Sequence, residues 1–298
     1  MDINRANLES MFKMFNTAWK DGIGWDMPVD ISFMFTHFNS TTTSNFYAWL
    51  ENIPGFREWV GDRVFKNVRG NKFELTNRDF EDSVAMGRNE ILDDQFGLYA
   101  SLVTQMAAAW KLLKDYQIVI DVITGNDAVF TGSALLADDH AYGDNTIDNL
   151  VTTALSETTF NAAFLAAAGW KFANGEYCRT QFTHLLHGPK LRSTAFDLVD
   201  NKYVVADGTA GGTKDNPNYK RVERVEIPDF VGDYDDYWLL VDCRKPIKPF
   251  ARQLRQEAKP LMDTDPATVM RTGRIDYMAD GRVAACGTFP HLMYGGRL

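Results

Sequence analysis

The stretch that decides the fold reads WLENIPGFREWVGDRVFKNVRGNKFELTNRDFEDSVAMGRNEILDDQFGLY, residues 49–99. Its charge is divided into a basic arm, residues 57–72, and an acidic arm, residues 74–94. The charged residues of the basic arm are Arg57, Glu58, Asp62, Arg63, Lys66, Arg69 and Lys72, and those of the acidic arm are Glu74, Arg78, Asp79, Glu81, Asp82, Arg88, Glu90, Asp93 and Asp94. Such a segregation of charge favours contact with a surface of complementary charge.

The two arms also contain β-forming residues, and Arg69-Gly70-Asn71 is predicted as the turn between them. An isolated two-stranded hairpin is only marginally stable in water. We therefore predict that this ribbon lies across a second copy of the chain. The predicted intersubunit contact residues are Arg57, Glu58, Trp59, Arg63, Lys66, Arg69, Lys72, Arg78, Asp79 and Glu81.

A long helix is predicted directly after the ribbon, from Asp94 to Thr124. Asp93 and Asp94 are suited to capping its N-terminus, and Gly125-Asn126 to ending it. Apolar residues follow at helical spacing, with one gap at Gln117. They are Phe96, Tyr99, Val103, Met106, Trp110, Leu113 and Ile120. This pattern predicts a helix that buries one face against the rest of the chain.

Composition limits the class of protein. The 298 residues are 45% hydrophobic and 24% charged, with a formal net charge of −9, which is typical of a globular chain. An acidic chain is poorly suited to binding nucleic acid over a wide surface, because phosphate binding needs clustered Lys and Arg side chains. Three widely spaced cysteines favour a reducing cytoplasm, and neither a signal peptide nor a membrane span is predicted.

The other predicted elements lie on both sides of this stretch. An amphipathic helix is predicted over residues 1–24, either docked on its own domain or packed as an arm on a neighbour. Residues 126–240 read as an α/β segment with an exposed, mobile loop between residues 206 and 219. Near the C-terminus, Asp280-Gly281 predicts a hairpin turn between two strands.

Few residues have the types and spacing that are typical of a catalytic or metal-binding site. Asp138, Asp139 and His140 have the ligand types of a divalent metal site, but adjacent loop residues rarely converge on one ion. His184 and His187 would face one way on a helix, without a carboxylate neighbour. Nucleophile, zinc-protease, P-loop and dinucleotide motifs are all missing from the sequence. We therefore predict no catalytic, cofactor-binding or metal site, and keep a metal-dependent hydrolase only as a distant alternative.

The residue types and their spacing in the opening stretch resemble those of a known family. W-L-x-x-x-P-x-x-R-E-W-x-G-x-R at residues 49–63, N-R-D-F-E at 77–81 and R-N-E-I-x-D-D at 88–94 resemble the major head protein (gpT) family of Mu-like phages. G-x-x-L-L-A-D-D-H at 132–140 fits the same family. The resemblance implies an α+β fold of the Hong Kong 97-type major capsid protein.

The resemblance also implies a division of the chain. Residues 1–43 would be the N-arm, 44–90 the E-loop, 91–125 the spine helix of the peripheral domain, 126–240 the axial domain and 241–298 the return strands of the peripheral domain. The sequence lacks the long N-terminal scaffolding region that precedes the N-arm in the namesake protein of the Hong Kong 97-type fold, so a separate scaffolding protein is expected.

The implied function is that of a structural major capsid protein of a tailed phage or prophage. Such a protein forms hexamers and pentamers of an icosahedral head that encloses double-stranded DNA without binding it specifically. Its expected partners are further copies of itself, the scaffolding protein, a portal and decoration proteins, with no cofactor and no membrane. It would be made in the host bacterial cytoplasm and reside in the virion. An encapsulin-type nanocompartment shell is the alternative on the same fold.

Overall fold

A computed structural model describes residues 4–50, 70–93, 97–205 and 213–297. Its helices are, in chain order, α1 (Arg5–Ile23), α2 (Arg88–Asp93), α3 (Leu98–Leu112), α4 (Ile118–Gly125), α5 (Glu157–Gly169), α6 (Arg192–Val199) and α7 (Pro266–Thr272). A π-helical segment, Leu113–Gln117, joins α3 to α4. Helices and strands are mixed along the chain, as expected for an α+β fold.

Fifteen strands are described among these residues. They are β1 (Phe35–Asn39), β2 (Ser44–Leu50), β3 (Gly70–Thr76), β4 (Arg78–Gly87), β5 (His140–Tyr142), β6 (Asn145–Ile147), β7 (Leu150–Val151), β8 (His184–His187), β9 (Tyr203–Val205), β10 (Thr213–Asp215), β11 (Glu223–Glu226), β12 (Trp238–Val241), β13 (Phe250–Met262), β14 (Arg274–Gly287) and β15 (Met293–Gly296).

The three longest strands, β4, β13 and β14, form a four-stranded sheet with β1, in the order β1-β13-β14-β4. The predicted turn at Asp280-Gly281 is wrong, because β14 runs through both residues without a break. Gly281 serves a different purpose: a β carbon there would lie 2.4 Å from Cη2 of Trp110. The glycine therefore lets the indole approach the sheet. The chain reverses instead at α7, which connects β13 to β14.

Helix α1 docks on its own subunit. Its buried residues include Leu8, Phe15 and Trp19, and the ring of Phe15 meets Tyr277 of β14 edge-on at 5.5 Å. The same hydrophobic core takes in Val103 and other residues of α3. Of the two alternatives for this segment, the described contacts are those of the docked helix.

The long predicted helix is present as α3, the π-helical segment and α4. Helix α3 begins at Leu98, with Gly97 as its N-cap at a φ of 66°. The predicted start at Asp94 lies outside the described residues. Asp93 is the last residue of α2, so the predicted N-cap is wrong at that position. Helix α4 ends at Gly125, as predicted. The gap in the apolar pattern at Gln117 coincides with the π-helical segment, where the side-chain register shifts.

The ribbon is built differently from the prediction. Strand β3 pairs antiparallel with β2, and Leu50 is opposite Gly70, so Gly70-Asn71 is part of a strand rather than a turn. In the described part of the chain, the acidic β4 pairs with β14. Local β propensity could not reveal these pairings, because the partners of β4 lie far away in sequence.

A second, five-stranded sheet has the order β11-β8-β12-β15-β7. Helix α5 begins at a capping box in which Ser156 and Thr159 exchange hydrogen bonds. In the described part of the predicted loop before β11, residues 213–215, 217 and 219 are exposed, whereas Asn216 and Asn218 are only 8% and 1% exposed. Residues 206–212 of that loop lie outside the described residues.

Candidate functional site

The predicted intersubunit contacts divide into two groups. Lys72 lies on β3, and Arg78, Asp79 and Glu81 lie on β4; all four side chains are exposed. The remaining six lie outside the described residues. They are Arg57, Glu58, Trp59, Arg63, Lys66 and Arg69. The structure therefore supplies the geometry of the acidic side of the predicted contact.

The acidic residues of β4 already have neighbours within the chain. Asp79 pairs with Arg282 of β14 at 2.9 Å, and Glu81 accepts a hydrogen bond from the Ser83 hydroxyl at 2.7 Å. Both carboxylates lie on the exposed face of the sheet. Exposed pairs of this kind contribute about 0–1 kcal/mol each, so these carboxylates remain open to further partners.

The other face of β4 contains a carboxylate that the sequence reasoning did not select. Asp82 lies between Phe80 and Val84 and pairs in register with Ala279, which is buried under α3. Asp82 borders a cleft of ≈ 230 Å³ between α3 and the sheet. The sequence alone indicates this position, because side chains two residues apart on a strand share a face, and Asp82 is therefore on the same face as Phe80 and Val84.

The base of the β2–β3 hairpin is held by one buried amide. Gln253 of β13 is 0% exposed and accepts a hydrogen bond from the Tyr47 hydroxyl at 2.5 Å. Its Nε2 donates to the Leu75 carbonyl at 3.2 Å and to Asn77 Oδ1 at 2.8 Å. The hairpin is thus anchored on the four-stranded sheet, which limits the directions in which it can project.

Charged residues of the π-helical segment form ion pairs with residues of the same sheet. Asp115 pairs with Arg252, whose side chain is 9% exposed, and Lys114 bridges Asp115 at 3.3 Å and Glu257 at 3.1 Å. The Trp110 indole donates to Glu257 at 2.9 Å. Arg252 is the buried member of the cluster, and removing Asp115 would leave its charge without that partner, which is destabilising. The cluster therefore helps to hold the helix on the sheet.

One more residue of this segment reaches the second sheet. The Tyr116 hydroxyl donates to the Asp229 carboxylate at 2.5 Å, in the loop after β11. Burial, together with this carboxylate, raises the pKa of Tyr116. The long helix is therefore connected by polar contacts to the four-stranded sheet and to the loop that follows β11.

The candidate metal ligands are not brought together. Asp138 and Asp139 are exposed, whereas His140 is 0% exposed. The ring of His140 contacts Asn149 Oδ1 at 3.2 Å and the Thr131 hydroxyl at 3.5 Å, and burial lowers its pKa. Within the described ranges, no group of three metal-ligating side chains is found.

The other two candidate histidines lie on strand β8 rather than on a helix. Three residues apart on a strand, they face opposite sides. His184 stacks on Phe33 at 4.1 Å and lies 3.3 Å from Glu223, and the His187 ring contacts the Gly188 carbonyl at 2.8 Å. Burial lowers the pKa of both, which is consistent with structural roles.

The cysteines are poor nucleophiles in this fold. Cys178, Cys243 and Cys286 are buried and unpaired, and burial raises the pKa of each thiol to about 12. Because the thiolate is the reactive form, such thiols are nearly inert at neutral pH. Over the same described part of the chain, no helix is both long and apolar enough to cross a lipid bilayer.

Comparison with known proteins decides the family. The family model of the Mu-like prophage major head subunit gpT matches residues 8–165, which is more than half of the chain. The chain belongs to this family. The resemblance seen in the Trp49–Asp94 motifs is thereby confirmed.

A curated relative supports the same membership. The Mu-like prophage FluMu major head subunit of Haemophilus influenzae is 28% identical over 167 residues, which cover 53% of this chain and 54% of that protein. The chain spans about half the length, or less, of the curated relatives it matches.

Solved structures confirm the fold of this gpT-family chain. A chain from the procapsid of bacteriophage JBD30 matches with a TM-score of 0.58 and 19% identity, covering 99% of this chain and 76% of that one. A chain from the capsid of cyanophage P-SCSP1u matches with a TM-score of 0.61 and 9% identity, covering 92% and 89%. At these identities the likeness concerns the fold, which is the Hong Kong 97-type fold.

Proposed function

We propose that this chain is the major capsid protein of a tailed phage or prophage. Copies of it would form hexamers and pentamers of an icosahedral head that encloses double-stranded DNA, and its final location would be the virion. The observation that supports this most strongly is the combination of gpT membership with a fold match to a procapsid chain over 99% of the sequence.

In this proposal the chain keeps the expected division into N-arm (1–43), E-loop (44–90), spine helix (91–125), axial domain (126–240) and return strands (241–298). The pairing of β4 with β14 makes residues 78–87 part of the sheet. We therefore assign the projecting part of the E-loop to residues 44–76, anchored at its base by Gln253.

The charged arms of the E-loop would make the contacts between subunits. A basic arm on one copy and the exposed carboxylates Asp79 and Glu81 on the next are complementary. Each exposed pair contributes only about 0–1 kcal/mol, but the contact is repeated throughout a shell. Complementary charge also disfavours registers that place like charges together.

The other partners follow from the same proposal. A separate scaffolding protein, a portal and decoration proteins would act on the assembled subunits. A formal net charge of −9 per chain favours a shell that encloses DNA without holding it, because wide phosphate binding needs clustered cations.

Sedimentation tests the proposal. The chain is expressed alone and together with a scaffolding protein of a Mu-like phage, and both lysates are run on density gradients. A fast-sedimenting species that contains the chain is expected in at least one of them. A chain that stays at the top of both gradients would contradict the proposal.

The same gradients distinguish a phage head from the alternative, an encapsulin-type shell. An encapsulin-type shell would form closed particles from this chain alone and carry a host enzyme inside. Protein identification in the fast fraction therefore distinguishes the two, and the gpT family match favours the phage head. A hydrolase would instead show a stoichiometric bound metal in purified protein.

A further inference from the structure

A group of cations lies where two loops meet at one end of the five-stranded sheet. One loop (residues 170–183) precedes β8 and the other (residues 241–248) begins at the end of β12. The two strands are antiparallel neighbours, with His184 opposite Val241, so both loops lie at the same end of the sheet. The five cations, which we call the five-cation patch, are Lys171, Arg179, Arg244, Lys245 and Lys248.

The patch differs in sign from the rest of the chain. The two loops contain five basic and two acidic residues, which gives a local net charge of +3, whereas the whole chain has −9. All other residues together therefore carry −12. A concentration of positive charge raises the local concentration of anions, so this part of the surface is suited to an anionic ligand.

The two lysines after β12 are held by backbone carbonyls. Lys245 Nζ donates a hydrogen bond to the Cys178 carbonyl at 3.2 Å, which joins the two loops, and Lys248 Nζ donates to the Cys243 carbonyl. Both side chains remain partly exposed. An ammonium group has three N–H donors, so each lysine can bind an anion while it keeps its carbonyl partner.

The arginine beside these lysines also connects the loops. Arg244 Nη2 donates to the Gln181 carbonyl at 3.1 Å, and its Nε lies 3.6 Å from Asp242 Oδ1. Asp242 is 0% exposed and accepts hydrogen bonds from the backbone N–H groups of Gln181 and Arg244. This carboxylate therefore fixes the loops from inside and does not reach the surface of the patch.

Arg179 is the most accessible member of the patch. Its side chain is exposed, and no hydrogen bond or ion pair joins it to another described residue. Its φ of 51° lies in the left-handed region, which a residue with a β carbon adopts only where the surrounding structure imposes it. The adjacent residues are anchored: the Cys178 N–H donates to the Trp170 carbonyl and the Thr180 hydroxyl to the His291 carbonyl. The loop therefore presents this guanidinium to solvent between two buried residues.

The surroundings of the patch favour phosphate groups over an acidic protein surface. The centre of a protein–protein interface is apolar and depleted of charge. In these two loops the exposed large apolar side chains are Tyr177 and Ile247, at 53% and 38%, and the cations outnumber them. Contact with a nucleic-acid backbone requires mainly cations, which is what the loops supply.

We propose that the five-cation patch binds phosphate groups of duplex DNA and faces the interior of the shell. This inference rests on the proposed function, in which the enclosed duplex supplies the phosphates. Each subunit makes only a few such contacts, and they carry no sequence information. The patch therefore contacts the duplex without the wide, specific binding that the overall negative charge opposes.

The salt dependence of DNA binding tests the patch. The unassembled chain is titrated into a short fluorescent DNA duplex at several KCl concentrations, and anisotropy gives the affinity. With Arg179, Lys245 and Lys248 each on one phosphate, log affinity should fall against log salt with a slope of about −2.7, since each contact contributes about −0.9.

Single substitutions identify the cations that are used. Arg179→Gln should reduce the magnitude of the slope by about one, whereas Arg179→Lys keeps the charge and should leave the slope unchanged. Lys13→Gln is the matched control, because Lys13 is an exposed cation of α1, outside the patch. Thermal unfolding of each variant verifies that the chain is folded.

Three results of the titrations overturn the inference and leave the proposed function standing. The first is an absence of saturable binding at low salt, and the second is an equal slope for Arg179→Gln and the unchanged chain. The third concerns the ligand: tighter binding of polyglutamate than of the duplex would assign the patch to an acidic protein. Displacement of the duplex by inorganic phosphate at an equal concentration of phosphate groups would likewise overturn the assignment to a duplex.

Cysteine labelling tests that the patch faces the interior. Arg179→Cys adds an exposed thiol to a chain whose own cysteines are buried. Particles of this variant are treated with a maleimide attached to a polyethylene glycol too large to cross the shell, either closed or after they are broken open by freezing and thawing. Labelling is expected only in the broken particles.

The other labelling results contradict the inference. Labelling of closed particles would place the patch on the outside, and no labelling of broken particles would place it between copies. Absence of particles from the unchanged chain would overturn the proposed function instead, whereas the titrations would still report whether the patch binds DNA.

Discussion

Gln253 holds Tyr47 at the base of the projecting hairpin. The Tyr47 hydroxyl donates a hydrogen bond to Gln253 Oε1 at 2.5 Å. The amide nitrogen of Gln253 donates to the Leu75 carbonyl and to Asn77 Oδ1. One fully buried amide of the sheet thus connects to both strands of the loop that we assign to intersubunit contact. The position of that loop depends on a residue that is 206 positions from Tyr47 and 178 from Leu75 in sequence.

Replacing this amide should loosen the hairpin. Gln253→Leu leaves the Tyr47 hydroxyl and the Leu75 carbonyl without their partner, and each unsatisfied buried group costs about 1–3 kcal/mol. We expect a lower free energy of unfolding and faster amide hydrogen exchange in β2 and β3. Gln256→Leu is the control, because its hydrogen bond to Asp280 is exposed. Equal effects of the two variants would contradict the anchoring role.

The contact between Gly281 and Trp110 predicts a second effect on stability. Gly281→Ala places a β carbon 2.4 Å from the Trp110 ring, and overpacking of this kind costs about 1–3 kcal/mol. Gly169→Ala is the control, since nothing lies within 4 Å of its added carbon. Urea unfolding of both variants measures the difference. An unchanged Gly281→Ala subunit would show that the indole can move away freely.

The predicted turn at Asp280-Gly281 and this contact explain one limit of the sequence analysis. Asp-Gly is a strong local turn signal, but here the glycine is required by a tryptophan on a distant helix. The pairing of β4 with β14 and the anchoring by Gln253 are equally non-local. By contrast, α1 and the stop at Gly125-Asn126 could be predicted, because each depends on residues within one or two turns.

Acid should destabilise the subunit through His291. Burial lowers the pKa of this histidine to about 3, against 6.5 in the unfolded chain. Between these two pH values the unfolded chain binds one more proton than the folded chain. The contribution of the neutral His291 ring to the free energy of unfolding is therefore fully present above about pH 6.5 and decreases as the pH falls toward 3. A difference of one bound proton between the unfolded and folded chains changes the free energy of unfolding by ~1.4 kcal/mol per pH unit.

Removing this imidazole tests the assignment. His291→Gln should lower the slope of unfolding free energy against pH by about one proton between pH 6 and pH 4. Urea titrations at several pH values measure the slope. The same slope in both proteins would mean that His291 is not the group responsible, and the other buried histidines would then carry the effect.

The basic arm should control assembly and not folding. Reversing Arg57 and Arg63 to Glu places like charges opposite the carboxylates of a neighbouring copy, which costs several kcal/mol where such charges approach closely. We expect a lower particle yield with an unchanged thermal unfolding temperature of the free subunit. Changing the same two residues to Lys keeps the charge and is the control. Normal particles from the Glu variant would contradict the electrostatic role of the loop.

The central claim is that this chain is a shell subunit, and electron microscopy of the purified chain tests it most directly. The chain is imaged after expression alone and after expression with a scaffolding protein. The account predicts closed icosahedral particles or isolated capsomers in at least one preparation. A folded chain that remains strictly monomeric in both preparations, at high concentration, would contradict it.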